Sequence, residues 1–221
     1  MKVVIFGASG IVGQGVLREC LLDPDVELVL SIVRKSTGQR HERLREVVHD
    51  NFMDFSRIES ELSGCDACFF CLGVSSAGMT EEEYERVTFG ITMAAALTLV
   101  RVSPRMTFEY ISGQGADSSE KGRSMWARVK GRTENALLAL PFKAAYMLRP
   151  GFIQPLHGIK SKTRVYRFFY AASKPLLPVM KTVFPQYVTT TARLGRAMIA
   201  IARRGYAKKV LEMKDINSVA A

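Results

Sequence analysis

The sequence predicts an α/β protein with a doubly wound parallel sheet and a small carboxyl-terminal lobe or lid. Short apolar segments alternate with segments of helical spacing up to about residue 150, which is typical of parallel strands joined by crossover helices. A glycine-rich turn joins the first strand to the first helix. The segment 152–187 loses the regular pattern and contains several prolines. We therefore expect one domain over residues 1–221, with 152–187 lying over the carboxyl edge of the sheet.

The predicted strands are short apolar runs that end at glycine, proline or charged residues. The first run ends at Gly7, and the second is rich in Val, Ile and Leu. A third strand is expected to begin only at Val47-Val48. The strands are placed at Lys2–Phe6, Glu27–Val33, Val47-Val48 onward, Cys65–Leu72, Met106–Ser112 and Ala144–Leu148.

The predicted helices show apolar residues three or four apart. Asp23-Pro24 ends the first helix, and three glutamates stand near the start of the long fourth segment, where the helix dipole favours acids. The helical segments are Val12–Leu22, part of His41–Val48, Ile58–Leu62, Thr80–Val102, Ser124–Leu140 and Thr190–Arg204.

The cysteines Cys65, Cys68 and Cys71 have a spacing that resembles part of an iron–sulfur motif. They lie in a predicted buried strand, where residues three apart point to opposite faces, and no fourth cysteine follows. We therefore interpret them, with Cys20, as buried structural thiols.

The loop between the first strand and the first helix reads Gly-Ala-Ser-Gly-Ile-Val-Gly. One glycine allows a tight turn, another lets the backbone approach a pyrophosphate, and a third lets helix pack on strand. The amino terminus of the helix offers unpaired N–H groups to phosphates. This context predicts a dinucleotide-binding unit of the Rossmann type. The loop residues expected to bind the cofactor are Gly7, Ser9, Gly10, Ile11, Val12 and Gly13.

The end of the second strand indicates which dinucleotide is bound. NAD-binding units place Asp or Glu there to accept from the ribose 2′-hydroxyl, whereas this strand ends in Arg34 and Lys35. A guanidinium can bind the 2′-phosphate of NADP through two parallel hydrogen bonds. We expect NADP(H) to be preferred over NAD(H), although both cations could be surface charges. Asp54 could accept from the adenine amino group or cap the following helix.

Five motifs follow one another along the chain: the glycine loop, Asp54-Phe55, Cys71-Leu72-Gly73, Ser112 and Arg149-Pro150-Gly151. In this order they resemble the extended and atypical short-chain dehydrogenase/reductases. Within this family, the chain is similar to the small NAD(P)-binding proteins of the Tat-interacting oxidoreductase-like group. The resemblance spans nearly the whole chain and implies an oxidoreductase acting on a small carbonyl or sugar-like substrate, with 152–187 on the substrate side. The cofactor contacts it implies outside the loop include Asp54, Phe55, Leu72, Gly73, Lys130, Pro150 and Gly151.

The same resemblance implies the catalytic groups. The family uses a serine or threonine after the fifth strand, with a tyrosine and a lysine four residues apart on one helix. The lysine lowers the pKa of the phenol, which exchanges a proton with the substrate oxygen while hydride moves on the cofactor. Ser112 and Lys130 match the first and last of these positions.

The tyrosine position holds Trp126, whose indole N–H is no usable acid near neutral pH. Tyr110, two residues before Ser112 and therefore expected on the same strand face, could replace the phenol. A water held by Lys130 could also do so. The alternative is a protein that binds NADP(H) without turnover and serves as a redox-sensing or protein-interaction module.

The two halves of the chain differ in charge. Residues 1–110 contain 11 basic and 16 acidic residues, and residues 111–221 contain 20 and 5. The basic half could contact a membrane surface or an acidic protein, or could be a solvated surface. Nucleic-acid binding has only charge in its favour, since no recognised motif accompanies it. The apolar spacing at Ser161–Ser173 predicts a core-packing helix, with a lid or a membrane-surface helix as alternatives.

The sequence also indicates the cellular compartment of the protein. No stretch reaches the roughly 18 apolar residues of a membrane span, and the chain opens directly into the first strand without a secretory signal. These observations predict a cytoplasmic protein.

Overall fold

The computed structural model describes residues 1–159 and 188–220. Its main sheet has seven strands, all parallel, in the order β3-β2-β1-β4-β5-β6-β9. The predicted doubly wound parallel sheet is therefore confirmed. The strands are β1 Lys2–Phe6, β2 Leu28–Val33, β3 Leu44–Val48, β4 Ala67–Phe70, β5 Thr107–Ile111, β6 Ala144–Arg149, β7 Phe152–Gln154, β8 Val188–Thr190 and β9 Val210–Glu212.

Helices cover both faces of this sheet. One core, around Val3 and Ile5, packs against the first helix and the long carboxyl-terminal helix. The other, around Val4 and Phe6, packs against the helices that follow β4 and β5. Both faces of the central strands are therefore buried, as apolar parallel strands require. The helices are α1 Ile11–Leu22, α2 Glu59–Leu62, α3 Glu81–Glu85, α4 Ile91–Val102, α5 Met125–Leu138, α6 Thr191–Arg204 and α7 Met213–Val219.

Two predicted elements differ in the structure. The segment expected to be partly helical contains β3 at Leu44–Val48, which pairs in parallel with β2. The long helix expected over Thr80–Val102 is interrupted by a π-helical segment, Arg86–Gly90, between α3 and α4. The short elements β9 and α7 had no counterpart in the sequence prediction.

Of the segment 152–187, predicted to form a lobe or lid, the structure describes residues 152–159. β7 and β8 pair in parallel as a separate two-stranded sheet. The helix predicted at Ser161–Ser173 lies outside the described residues. No helix in the described ranges is long and apolar enough to cross a membrane.

All four cysteines are free thiols, three of them buried and Cys71 partly buried. Cys68 belongs to the core on the α4 side, whereas Cys71 packs against the core on the α1 side. Cys68 and Cys71 therefore lie on opposite faces of the sheet, as predicted, whereas Cys65, which precedes β4, lies in the same core as Cys68.

Candidate functional site

The glycine loop packs so closely against neighbouring backbone that side chains at Gly7 and Gly13 would collide with it. Gly7 has a φ of +82°, and a Cβ on it would lie 2.6 Å from the backbone nitrogen of Leu72. A Cβ on Gly13 would lie 2.1 Å from the carbonyl oxygen of Gly7. Gly10 N–H donates to that same oxygen at 2.9 Å. The loop therefore has the small-residue geometry that lets a backbone approach phosphates.

The amino terminus of α1 leaves its first donors without a side-chain partner. Gly10 is its N-cap, no side chain caps it, and no acid stands in its first turn. The first helical bond runs from Gln14 N to Gly10 O at 2.9 Å. The preceding N–H groups and the dipole can therefore receive an anionic phosphate, so the residues present fit a dinucleotide.

Two adjoining cavities follow the carboxyl edge of the sheet. The β3-side cavity, of about 390 Å³, is bounded by Asp50–Met53 and by Val87 and Ile91. The β5-side cavity, of about 550 Å³, contains Ser112 and Lys130. Ser9, Gly10, Arg34 and residues 71–74 line both. The result is one continuous cleft beneath the glycine loop, at the place where open α/β sheets bind ligands.

Most of the predicted cofactor residues line this cleft. Gly13 lies under the loop, where it allows close packing. The predicted residues on the cavity walls are Gly7, Ser9, Gly10, Ile11, Val12, Arg34, Leu72, Gly73, Lys130, Pro150 and Gly151.

Besides Gly13, three predicted cofactor residues line neither cavity of the cleft. Lys35 is exposed and lines neither cavity. The carboxylate of Asp54 accepts a hydrogen bond from Ser56 N at 2.9 Å, which forms a local turn two residues long, and no side chain caps the helical turn that follows. Phe55 is buried in the core, with its ring centroid 5.5 Å from that of Phe6.

Asp50 and Asn51 line the β3-side cavity instead of Asp54. The sequence prediction missed them because it placed the start of the third strand three residues too late. β3 ends at Val48, so the residues directly after it reach the carboxyl edge. The signal was the position of these two polar residues one residue after the apolar pair Val47-Val48.

Lys130 reaches both the core and the cleft. Its Nζ donates to the hydroxyl oxygen of Tyr110 at 2.9 Å and to the carbonyl oxygen of Ile111 at 3.2 Å. Burial lowers the pKa of the ammonium to about 8, although the negative charge of Glu134 opposes this shift. Lys130 is therefore a group that can lose or gain a proton near neutral pH.

Ser112 shares the β5-side cavity with Lys130. Its hydroxyl oxygen is buried and has no hydrogen-bond partner among the described residues. Tyr110 is fully buried in the core on the α4 side, and it lines neither cavity. β5 ends at Ile111, so the alternation of side chains along a strand does not determine where Ser112 points. The structure therefore brings Ser112 and Lys130 together and places Tyr110 behind the lysine.

Trp126 lies in the first turn of α5 and packs over the loop that follows β5. A Cβ on Gly115 would lie 3.4 Å from the Cη2 atom of its ring. Trp126 does not line the β5-side cavity, and no phenol from the described ranges does so. Lys130 and Ser112 are therefore the candidate proton donors on this wall.

A buried ion pair holds the end of β6, just before Pro150-Gly151. Arg149 Nε lies 3.0 Å from Oε1 of the fully buried Glu134, and its Nη1 lies 3.3 Å from Glu212. Arg149 Nη2 also donates to Ser118 Oγ at 2.6 Å. These contacts fix the direction in which the chain leaves β6 and forms the far wall of the cleft.

Comparison with known proteins agrees with the observed fold. Residues 2–104 match the family model described as semialdehyde dehydrogenase, NAD binding domain. The reductase domain of PhqB from Penicillium fellutanum has a TM-score of 0.69 at 15% identity, over 96% of this chain and 66% of that one. The Bordetella bronchiseptica enzyme WbmF, solved with NAD⁺, has a TM-score of 0.69 at 13% identity, over 98% and 76%. The chain therefore has a Rossmann fold like that of these two structures.

Curated relatives come from fungi. The chain is 29% identical to Protein FMP52-2, mitochondrial, of Scheffersomyces stipitis over 154 aligned residues. This aligned region covers 67% of this chain and 65% of that protein. The chain is 30% identical over 161 residues to Protein fmp52-1, mitochondrial, of Aspergillus oryzae, covering 69% and 66%. The chain thus spans slightly less than two thirds of the length of these relatives.

The names of these relatives correct one prediction. The cytoplasmic location expected from the sequence is wrong, because the curated relatives are named as mitochondrial proteins. The expectation rested on the lack of a secretory signal and of a membrane span, and neither feature distinguishes the cytoplasm from an organelle.

Proposed function

We propose that the protein is an NADPH-dependent reductase of a small carbonyl or sugar-like substrate. The observation that carries this proposal is the β5-side cavity, where the hydroxyl of Ser112 and the ammonium of Lys130 share one wall next to the glycine loop. The extended and atypical short-chain dehydrogenase/reductases, and the Tat-interacting oxidoreductase-like group within them, are the family to which this function would assign the chain. Ile153, on the same cavity wall, supports 152–187 as a substrate-side lobe.

The preference for NADP(H) rests on Arg34. It lines both cavities beside Ser9 and Gly10, and it makes no ion pair with another described residue. Its guanidinium is therefore available to bind a 2′-phosphate through parallel hydrogen bonds.

The proposed roles follow from the groups on the cavity wall. The bound NADPH would supply a hydride to the carbonyl carbon and become NADP⁺. The Ser112 hydroxyl donates a hydrogen bond to the carbonyl oxygen and orients it. Lys130 passes a proton from its ammonium to that oxygen as the carbonyl π bond breaks, which leaves an alcohol and a neutral amine. The amine then regains a proton from solvent.

The first test is equilibrium binding of NADPH and of NADH to the purified protein, with Arg34→Ala beside the wild type. Tight NADPH binding that weakens ten-fold or more in the variant, on the order of one lost charge-assisted pair, supports the cofactor assignment. Lys35→Ala is the matched control, because Lys35 lines neither cavity. Failure of wild type to bind either dinucleotide would contradict the proposal.

A second candidate function is binding of NADP(H) without turnover, as a redox-sensing or interaction module. The presence of Trp126 at the family's tyrosine position favours it. Carbonyl reduction measured for wild type, Trp126→Tyr and Lys130→Met separates the two. Activity in the wild type that is lost in Lys130→Met supports the reductase. Activity that arises only in Trp126→Tyr supports a protein that has lost turnover.

A further inference from the structure

A third cavity adjoins the glycine loop on the side of α1. The α1-side cavity, of about 630 Å³, lies between α1 and the loop that follows β2, and Ser9 lines it as well as the other two. Gln14 and Ser31 belong to its floor, and Glu46 of β3 also lines it. This cavity therefore meets the candidate dinucleotide cleft at Ser9.

The carboxylate of Glu46 binds the donors of the loop after β2. Ser36 Oγ donates to Oε2 at 2.5 Å, and Thr37 N–H lies 3.1 Å from each carboxylate oxygen. The hydroxyl of Thr37 donates to Oε1. Gly38 N–H donates in turn to Ser36 Oγ at 3.1 Å. One carboxylate therefore occupies three donors of two successive residues.

Glu46 is a charged group without a cation beside it. No ion pair joins it to another residue of the described ranges. Partial burial alone would raise its pKa, but the hydrogen bonds from Ser36 and Thr37 outweigh this and hold the pKa below its ordinary value. The carboxylate therefore stays negative throughout the neutral range.

The negative charge of Glu46 affects the ribose 2′ position of a dinucleotide more than the rest of the molecule. NADP carries a dianionic phosphate at the ribose 2′ position, where NAD carries a neutral hydroxyl. A carboxylate near that position repels the phosphate, and it also keeps Ser36 and Thr37 from donating to the phosphate. Arg34, directly after β2, acts in the opposite direction.

We infer that Glu46 is a specificity-determining residue that limits the preference for NADP(H) over NAD(H) by occupying the Ser36–Thr37 donors with a competing negative charge. This inference rests on the proposed function, because it requires the dinucleotide to lie in the cleft that Ser9 and Arg34 line. The preference for NADP(H) over NAD(H) then depends on how far the attraction of Arg34 for the 2′-phosphate exceeds the repulsion of that phosphate by Glu46.

The test compares the Kd of NADPH and of NADH for Glu46→Gln and wild type. The amide of this variant keeps an oxygen that can accept from Thr37 N, so the loop retains a partner while the charge is removed. We expect NADPH to bind about five-fold more tightly and NADH to change less than about two-fold, as for removal of one charge near a dianion in water-like surroundings. The gain should shrink at higher ionic strength, which a purely structural role would not produce.

Two controls accompany it. Glu46→Asp keeps the charge, and its ratio of the two Kd values should stay near that of wild type. Glu42→Gln removes an exposed charge four residues earlier that lines none of the three cavities, so it measures the effect of net charge alone. An unchanged ratio in Glu46→Gln, or an equal change in Glu42→Gln, overturns the inference.

Arg34→Ala distinguishes failure of this inference from failure of the proposed function. If Arg34→Ala weakens NADPH binding while Glu46→Gln leaves the ratio unchanged, the cofactor assignment stands and the role of Glu46 does not. If wild type binds neither dinucleotide, both are wrong.

Discussion

The Nζ atom of Lys130 lies 2.9 Å from the hydroxyl oxygen of Tyr110, so a lysine on the cavity wall is anchored to a tyrosine inside the core. The same Nζ lies 4.6 Å from the centre of the tyrosine ring. Burial raises the pKa of the Tyr110 phenol well above its ordinary value. The tyrosine is therefore a neutral partner that orients the lysine, and the lysine is the group of this pair that can change its charge.

This pair gives a prediction for the pH dependence of carbonyl reduction. The ammonium is the proposed donor, and its pKa is lowered to about 8, so the active form is present below that pH and lost above it. We expect kcat/KM to be level in mildly acidic solution and to fall as pH rises through about 8. Lys130→Met should lower kcat/KM by about 10²–10⁴-fold and remove this fall. A wild-type profile that is flat between pH 6 and pH 10 would contradict the assignment.

Glu109 gives a prediction for stability. It is fully buried in β5, and neither carboxyl oxygen has a hydrogen-bond partner in the described ranges. Burial raises its pKa well above 4.5. The folded protein therefore keeps a proton that the unfolded chain releases above that pH, and stability contributed by this group is lost as pH rises, by about 1.4 kcal/mol per pH unit.

Glu109→Gln removes this titration and keeps the shape of the side chain. We expect the free energy of unfolding of the variant, relative to wild type, to increase between pH 5 and pH 7, by at most about 3 kcal/mol, measured by urea denaturation. The exposed Glu42→Gln should show no such trend. A constant difference between Glu109→Gln and wild type across this range would mean that Glu109 is ionised in the folded protein.

Gly13→Ala tests the packing of the glycine loop. The new methyl group would lie 2.1 Å from the carbonyl oxygen of Gly7, so the backbone must move. We expect a loss of about 1–3 kcal/mol in the free energy of unfolding and loss of dinucleotide binding. Gly73→Ala is the control for stability, because its Cβ meets no atom within 4 Å, and it should cost less than about 0.5 kcal/mol.

The ion pair at the end of β6 is a further test. Arg149→Met leaves the fully buried Glu134 without its guanidinium partner, and we expect a loss of about 3–5 kcal/mol in chemical denaturation. The double variant Arg149→Met/Glu134→Gln removes both charges and should recover more than half of that loss. If the double variant is no more stable than the single one, the loss comes from packing and not from an unpaired charge.

Much of the fold could be predicted because its central strands are continuous apolar runs. β1, β2, β5 and β6 and the helices α1 and α6 lie within about two residues of their expected positions. The edge strand β3 was harder, because Arg45 and Glu46 give it a polar sequence and only its pairing with β2 identifies it. The strand β9 has three residues, which is too short for a periodic pattern to be recognised.

The site was predictable where a local motif determines geometry. The glycine loop, Arg34, Ser112 and Lys130 all line the cleft. Tyr110 was expected on the face of Ser112, but β5 ends between them, and Ser112 lines the β5-side cavity while Tyr110 is buried in the core. Glu46 could not be found from the sequence, because its significance depends on loop donors about ten residues away in the chain.

The π-helical segment Arg86–Gly90 determines the rotation of the following helix, α4, about its axis. A π turn carries one residue more than an α turn, so it acts as a one-residue insertion and rotates α4 by about 100° about its axis. In this phase Ile91 faces the β3-side cavity and Leu99 faces the core. Deletion of one residue would restore a regular helix and turn both away. The length of this segment is therefore constrained more strictly than its composition, and substitutions should be accepted where a deletion is not.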